Sequence, residues 1–185
     1  MSVDLTKGQS VDLTKEDGSA VKKIRLGGGW DPAADGKDFD VDLFAVDENG
    51  NITFFNKKEG IAGVVLDEDN LTGDDAPGEE GTADENIRID VEKLTSKKVV
   101  LAANIFKAGE RSQNFGQVKN LFVEIEDIDA KKIVAKYNVS EDGGTNTAVV
   151  IGEVENVDGK LKFTAKGEYT NGDINEVSEK NKPTV

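Results

Sequence analysis

Hydrophobic and polar residues alternate in short runs along most of this chain, and turns rich in glycine or acidic residues separate the runs. Alternation with a period of two places successive side chains on opposite faces of a β-strand. No long amphipathic helix interrupts the runs, so the pattern predicts an all-β fold, a β-sandwich of about ten short strands with long acidic loops. The longer predicted strands are Val21–Leu26, Phe39–Val46, Ile52–Phe55, Ile61–Leu66, Asn86–Asp90, Val99–Lys107, Leu121–Asp127, Ile133–Val139, Thr147–Glu155 and Leu161–Tyr169.

The N-terminus contains the hexapeptide Ser-Val-Asp-Leu-Thr-Lys twice, at residues 2–7 and 10–15. Within each copy Val and Leu alternate with Asp and Thr, which is strand periodicity. Gly8 lies between the copies and is free to adopt a positive φ. The repeat therefore predicts either a β-hairpin or two short edge strands.

The length of 185 residues fits a single domain, which we place at residues 1–170. The segment 171–185 is polar and is predicted to be a flexible C-terminal tail. The N-terminus has no apolar signal segment, and no stretch approaches the roughly 18 apolar residues of a membrane-spanning helix. These features predict a cytoplasmic protein without direct membrane insertion.

The chain is strongly acidic, with 37 Asp and Glu residues, 23 Lys and Arg residues and a net charge of −14. Nucleic acid and anionic membranes are recognised by clustered basic residues, so neither is an expected partner. An acidic surface favours solubility and cation binding, and its simplest function is solvation.

Cysteine and histidine are both absent from the sequence. Disulfides, zinc–thiolate sites and iron–sulfur clusters are therefore excluded, as are thiol and Ser-His-Asp catalysis. A metal held by side chains alone must be one that prefers oxygen ligands, with calcium or magnesium first.

Two acidic features point to a cation. Asp40 and Asp42 flank Val41 on a predicted strand, so they share one face and are either solvated there or bridged by a cation. The segment 67–85 contains nine acidic residues and no basic residue. Calcium takes 6–8 oxygen ligands, which such a loop can supply, although no EF-hand pattern is present. For residues 74–82 a disordered acidic insertion is an equal alternative.

Three further motifs have structural interpretations. Gly27, Gly28 and Gly29 are predicted to end a strand and to pass close to a ligand or another strand. Trp30 is predicted to be a buried anchor. The segment 111–117 (Arg-Ser-Gln-Asn-Phe-Gly-Gln) is either a partner contact or, as we favour, a connecting turn.

Together these motifs, in this order, resemble the TerD family of bacterial stress and tellurium-resistance proteins, over residues 1 to about 170. The matching segments are the N-terminal repeat (Leu5–Lys15), Gly28–Asp31, Phe39–Asp42, Asp69–Gly73 (Asp-Asn-Leu-Thr-Gly), Asp84-Glu85, Arg111–Val118 (with Gln-Asn-Phe-Gly-Gln-Val) and Lys162-Phe163.

The resemblance implies a β-sandwich whose acidic loops bind Ca2+, one or two ions, in proteins linked to tellurite resistance, phage defence and stress. It implies no enzyme activity, and it leaves the oligomeric state open. Thr72 and Gly73 would offer backbone carbonyls. Carried over by motif, the candidate metal ligands are Asp31, Asp40, Asp42, Asp69, Asn70, Thr72, Gly73, Asp84 and Glu85.

The chain departs from the family pattern in its acidic loop. Ala83 stands where the family has an Asp, and extra residues separate Gly73 from Asp84, so Asp74, Asp75, Glu79 or Glu80 are possible substitutes. Leu161 replaces a Trp near the C-terminus, which changes packing and not chemistry.

These features predict a non-catalytic calcium-binding protein that acts through other proteins in a stress or tellurite-resistance system. The alternative is a structural or assembly component of a larger particle, in which calcium only staples loops. A metal-dependent hydrolase is disfavoured because no His or Lys base stands in these motifs.

Overall fold

A computed structural model describes residues 2–31, 38–67, 83–139 and 142–185. Twelve strands in these residues form two six-stranded sheets that pack face to face, which confirms the predicted all-β sandwich. The first sheet has the spatial order β1 (Val3–Leu5), β10 (Lys132–Asn138), β9 (Phe122–Asp127), β3 (Lys23–Gly29), β7 (Glu85–Asp90) and β6 (Val64–Leu66). The second has the order β2 (Ser10–Asp12), β12 (Lys160–Thr170), β11 (Ala148–Val157), β8 (Lys98–Ile105), β4 (Val41–Asp47) and β5 (Ile52–Thr53).

The core lies between the two sheets and is built from alternate residues of each strand. Ile24 and Leu26 of β3 share one buried cluster with Val41 and Leu43 of β4. The intervening residues of β4 point to the opposite face of their sheet, where Phe44 belongs to a separate buried cluster. The period-two pattern of the sequence therefore determines which side of each strand is buried between the sheets.

The duplicated hexapeptide forms two edge strands in different sheets. β1 pairs in parallel with β10, with Val3 opposite Ala135. β2 pairs antiparallel with β12, with Val11 opposite Phe163. Of the two predicted arrangements, the structure therefore has the edge strands and not the hairpin.

The glycine run continues β3 and does not end it. Gly27 and Gly28 pair with residues of both β7 and β9. A Cβ atom on Gly28 would lie 2.8 Å from Leu43 Cδ1, and one on Gly29 would lie 2.5 Å from Phe122 Cε1. The run is glycine because neighbouring side chains occupy the space beside the strand, so the close approach is to other strands.

Two helices complete the described structure, α1 (Ala108–Arg111) and α2 (Ile174–Asn181). α2 lies in the segment predicted to be a flexible tail, and the structure differs from that prediction. Ile174 and Val177 are buried against Phe44 on the outer face of the second sheet, so most of this polar segment packs as part of the domain. Neither helix in the described ranges is long and apolar enough to cross a membrane.

Candidate metal-binding site

Five of the candidate ligands lie at one end of the sandwich, where β3 ends and β4 and β7 begin. We call this region the acidic end and define it by Asp31, Asp40, Asp42, Asp84 and Glu85. Trp30 connects its parts. The Trp30 backbone N–H donates to Asp84 Oδ2 at 3.0 Å, and the indole Nε1–H donates to the Phe39 carbonyl at 3.1 Å.

Trp30 is 1% exposed, so the predicted burial is confirmed. Its two hydrogen bonds join the end of β3 to the chain before β7 and to the chain before β4. In addition, the Asp84 N–H donates to the Gly28 carbonyl at 2.8 Å. These bonds bring together segments that are far apart in the sequence, and no local pattern predicts them.

Glu85 reaches from the first sheet to the second. Its side chain is 1% exposed, and Oε2 accepts a hydrogen bond from the Leu43 backbone N–H at 2.7 Å. The part of β4 that pairs with β5 begins at Ala45, two residues after Leu43. Glu85 therefore satisfies a backbone donor at the edge of the second sheet, and one of its oxygens has a structural role.

Asp40 and Asp42 are buried, at 6% and 4% exposure, so their carboxylates are not solvated. Asp42 lies on the outer face of the second sheet, with Phe44, while Val41 and Leu43 pack in the core. The Arg111 guanidinium approaches Asp40, with Nη1 3.8 Å from Oδ2. Burial of carboxylates is costly unless positive charge or hydrogen bonds compensate for the lost hydration.

The two carboxylate oxygens of Asp31 differ in their hydrogen bonding. The Asn120 side-chain amide donates to Asp31 Oδ2 at 2.6 Å, and the Asp31 N–H donates to the Lys119 carbonyl at 3.0 Å. The other oxygen, Oδ1, is buried and accepts no hydrogen bond within the described structure. A buried acceptor of this kind is a candidate cation ligand.

Two side chains of the polar segment 111–117 contact the chain at the acidic end. Arg111 lies near Asp40, and the Gln113 side-chain Nε2 donates to the Asp38 carbonyl at 3.0 Å. The Arg111 guanidinium also lies 5.6 Å from the centre of the Phe106 ring, a cation–π distance. The segment is therefore a connecting turn whose side chains position the start of β4. The sequence did not assign these roles to Arg111 and Gln113.

Four candidate ligands lie outside the described residues, namely Asp69, Asn70, Thr72 and Gly73, as do the possible substitutes Asp74, Asp75, Glu79 and Glu80. In the described ranges, no group of three or more acidic side chains is arranged to hold a metal ion by itself. The donors present at the acidic end are nevertheless all oxygens, the ligand type of hard cations such as calcium and magnesium.

One residue at the acidic end was not identified from the sequence. Asn104 of β8 lies directly opposite Asp42 of β4 and is 6% exposed. Its position as the single polar residue in the apolar run Val99–Ile105 is the signal that would have identified it.

Comparison with known proteins gives a consistent result across the whole chain. The family model described as TerD domain matches residues 1–180. The chain is 35% identical to "Tellurium resistance protein TerD" of Serratia marcescens, with 93% of each chain covered. It is 36% identical to "General stress protein 16U" of Bacillus subtilis, with 94% of each covered, and 36% identical to the YceE protein of the same organism, again with 94% of each covered.

Proposed function

Since this chain belongs to the TerD family, we propose that it binds calcium and acts without catalysis, through contacts with other proteins, in tellurium resistance or a stress response. The names of the relatives support a role in resistance or stress, and the carboxylates of the acidic end support calcium binding. The absence of cysteine and histidine supports a role without catalysis, because the commonest bases and nucleophiles are missing. We further propose that it works in the cytoplasm, with no nucleic acid as partner.

The observation that carries the calcium proposal is the burial of Asp40 and Asp42 at the end of the sandwich that also holds Asp31, Asp84 and Glu85. Like charges held close together in a poorly solvated region repel each other. The Arg111 guanidinium lies 3.8 Å from Asp40, and its side chain is 40% exposed, so solvent weakens its effect. A divalent cation would neutralise the cluster more completely.

The proposed site takes carboxylate oxygens from Asp31, Asp40, Asp42, Asp84 and Glu85. Outside the described residues it takes side-chain oxygens from Asp69 and Asn70 and backbone carbonyls from Thr72 and Gly73. When bound, calcium supplies positive charge that holds these segments together. Magnesium demands a small octahedral shell and zinc prefers nitrogen and sulfur, so both should bind more weakly than calcium.

Calcium should raise the melting temperature of the protein relative to the same protein in EDTA. Binding to the native state alone adds about 2.7 kcal/mol to the free energy of unfolding when free calcium is a hundredfold above Kd. Replacing both Asp40 and Asp42 by Asn should abolish most of this gain, because two anionic ligands are lost while side-chain size is kept. Differential scanning calorimetry with a parallel calcium titration measures both effects.

The double variant Asp4→Asn, Asp12→Asn is the matched control, because it removes two exposed carboxylates from the edge strands β1 and β2. It should retain the calcium response of the unmodified protein. A melting temperature that is the same in calcium and in EDTA would refute calcium binding. An unchanged affinity in the Asp40, Asp42 double variant would remove these two residues from the site.

A further inference from the structure

Asn104 occupies an unusual position in the second sheet. It is a polar residue on β8 whose neighbours Leu101, Ala102, Ala103 and Ile105 are all apolar and buried. The register places it directly opposite Asp42 of β4 on the shared outer face. Directly opposed residues of antiparallel strands have Cβ atoms about 4.5–5.5 Å apart, so the two side chains are within reach of one common ligand.

The Asn104 side-chain oxygen lacks a hydrogen-bond partner among the residues that the structure describes. Oδ1 is buried and accepts no hydrogen bond from any described residue. The adjacent residues on the same face, Ala102 of β8 and Ala148 of β11, have methyl side chains that cannot donate one. Burying an amide oxygen without a hydrogen bond is costly, so such groups are rare in folded proteins and call for a specific explanation.

We infer that Asn104 is a calcium ligand, which binds the metal through Oδ1 beside the carboxylate of Asp42. This inference rests on the proposed calcium function and adds a neutral oxygen to the proposed site. Amide oxygens are ordinary calcium ligands. A carboxylate at this position would add another negative charge next to Asp40 and Asp42, so a neutral donor completes the shell with less repulsion in the metal-free protein.

The test is the substitution Asn104→Leu, which keeps the size of the side chain and removes its oxygen and nitrogen. Calcium affinity measured by isothermal titration calorimetry should fall at least about tenfold, because a ligand is lost. The melting temperature in EDTA should stay the same or rise, because a buried polar group without a hydrogen bond is removed. A ligand role therefore predicts weaker calcium binding without loss of metal-free stability.

Ser178→Ala is the matched control. Ser178 of α2 is 2% exposed, and its Oγ is also buried without a hydrogen bond from any described residue. α2 packs on the same outer face, against Phe44 and Ala102, but none of the proposed calcium ligands belongs to this helix. This variant should show the same small change in EDTA and no change in calcium affinity.

The possible outcomes separate the inference from the proposed function. If the unmodified protein gives no calcium-binding heat, both are refuted. If it binds calcium and Asn104→Leu binds equally well, only the role of Asn104 is refuted, and the same holds if the variant merely loses stability in EDTA.

A measurement on the unmodified protein covers the case in which Asn104→Leu fails to fold. The assigned side-chain amide resonances of Asn104 should move during a calcium titration followed by nuclear magnetic resonance, and the movement should saturate together with the binding heat. Resonances that stay fixed while calcium binds would refute the inference.

Discussion

Arg111 is the residue whose contacts connect the acidic end to the polar turn after β8. Its guanidinium lies 3.8 Å from Asp40 and over the Phe106 ring, and the side chain is 40% exposed. In the absence of a metal it supplies positive charge to a buried carboxylate. In the presence of a divalent cation the same charge opposes binding, because the two cations compete for Asp40.

We predict that Arg111→Gln increases calcium affinity, by about threefold to tenfold, because it removes a competing positive charge near the site. The same change should lower the free energy of unfolding in EDTA by at most about 1 kcal/mol, since the ion pair is partly exposed. Calcium titration calorimetry and chemical denaturation measure the two effects.

Lys162→Gln serves as the control for Arg111→Gln. It also removes one positive charge from a partly exposed ion pair, with Glu155 at 3.2 Å, but that pair lies at the opposite end of β11 from the acidic end. Its calcium affinity should stay unchanged. If Arg111→Gln and Lys162→Gln had equal effects, Arg111 would have no specific action on the site.

Single residues also show how far the sequence could predict the site. The shared face of Asp40 and Asp42 follows from their spacing, and the burial of Trp30 follows from its size. The pairing of Asp42 with Asn104 depends on the register between β4 and β8, which are separated by β5, β6 and β7 in the chain. Alternation identifies the faces of each strand but does not determine which residues of distant strands lie opposite each other.

Among the elements, α2 shows most clearly how tertiary packing overrides composition. The segment is polar on average, yet Ile174 and Val177 are spaced to lie on one side of a helix and are buried. Asp173 and Glu176 form a capping box, in which each side chain accepts a hydrogen bond from the other's backbone N–H. The pattern Asp-Ile-Asn-Glu at residues 173–176 indicates a helix start, although the polarity of the whole segment predicts a flexible tail.

We predict that Val177→Ala lowers the free energy of unfolding by about 1.5–2.5 kcal/mol, because two buried methyl groups are lost and a small cavity remains. Val177 is 0% exposed and packs in the cluster that contains Phe44 and Ala148. Chemical denaturation followed by tryptophan fluorescence of the buried Trp30 measures the change.

Val185→Ala is the comparison for Val177→Ala, because Val185 is 68% exposed. Its effect should remain within about 0.5 kcal/mol. Equal stabilities of the two variants would show that α2 does not contribute to the folded domain.

At the scale of the whole molecule, the excess of acidic residues opposes folding. The net charge of −14 is concentrated in a compact fold, and compaction increases the repulsion between like charges. Dissolved salt screens this repulsion, and the Debye length falls from about 30 Å at 0.01 M to about 3 Å at 1 M. A bound divalent cation would remove part of the same repulsion at its strongest point.

We therefore predict that increasing potassium chloride raises the melting temperature more in EDTA than in saturating calcium. Dissolved salt screens more repulsion between carboxylates when no cation is bound at the acidic end. Thermal unfolding at several salt concentrations, with and without calcium, measures the difference between the two slopes. Equal slopes would indicate that calcium does not bind among the clustered carboxylates.

The placement of the duplicated hexapeptide at two sheet edges has a consequence for how the chain folds during synthesis. β1 and β2 are synthesised well before their partners, β10 and β12. Contacts between distant parts of a chain form slowly, because a long loop must close, at a cost in entropy, before any stabilising contact forms. The two copies therefore remain unpaired until β10 and β12 have been synthesised. Their Lys and Asp residues then protect a nascent chain from pairing with its neighbours.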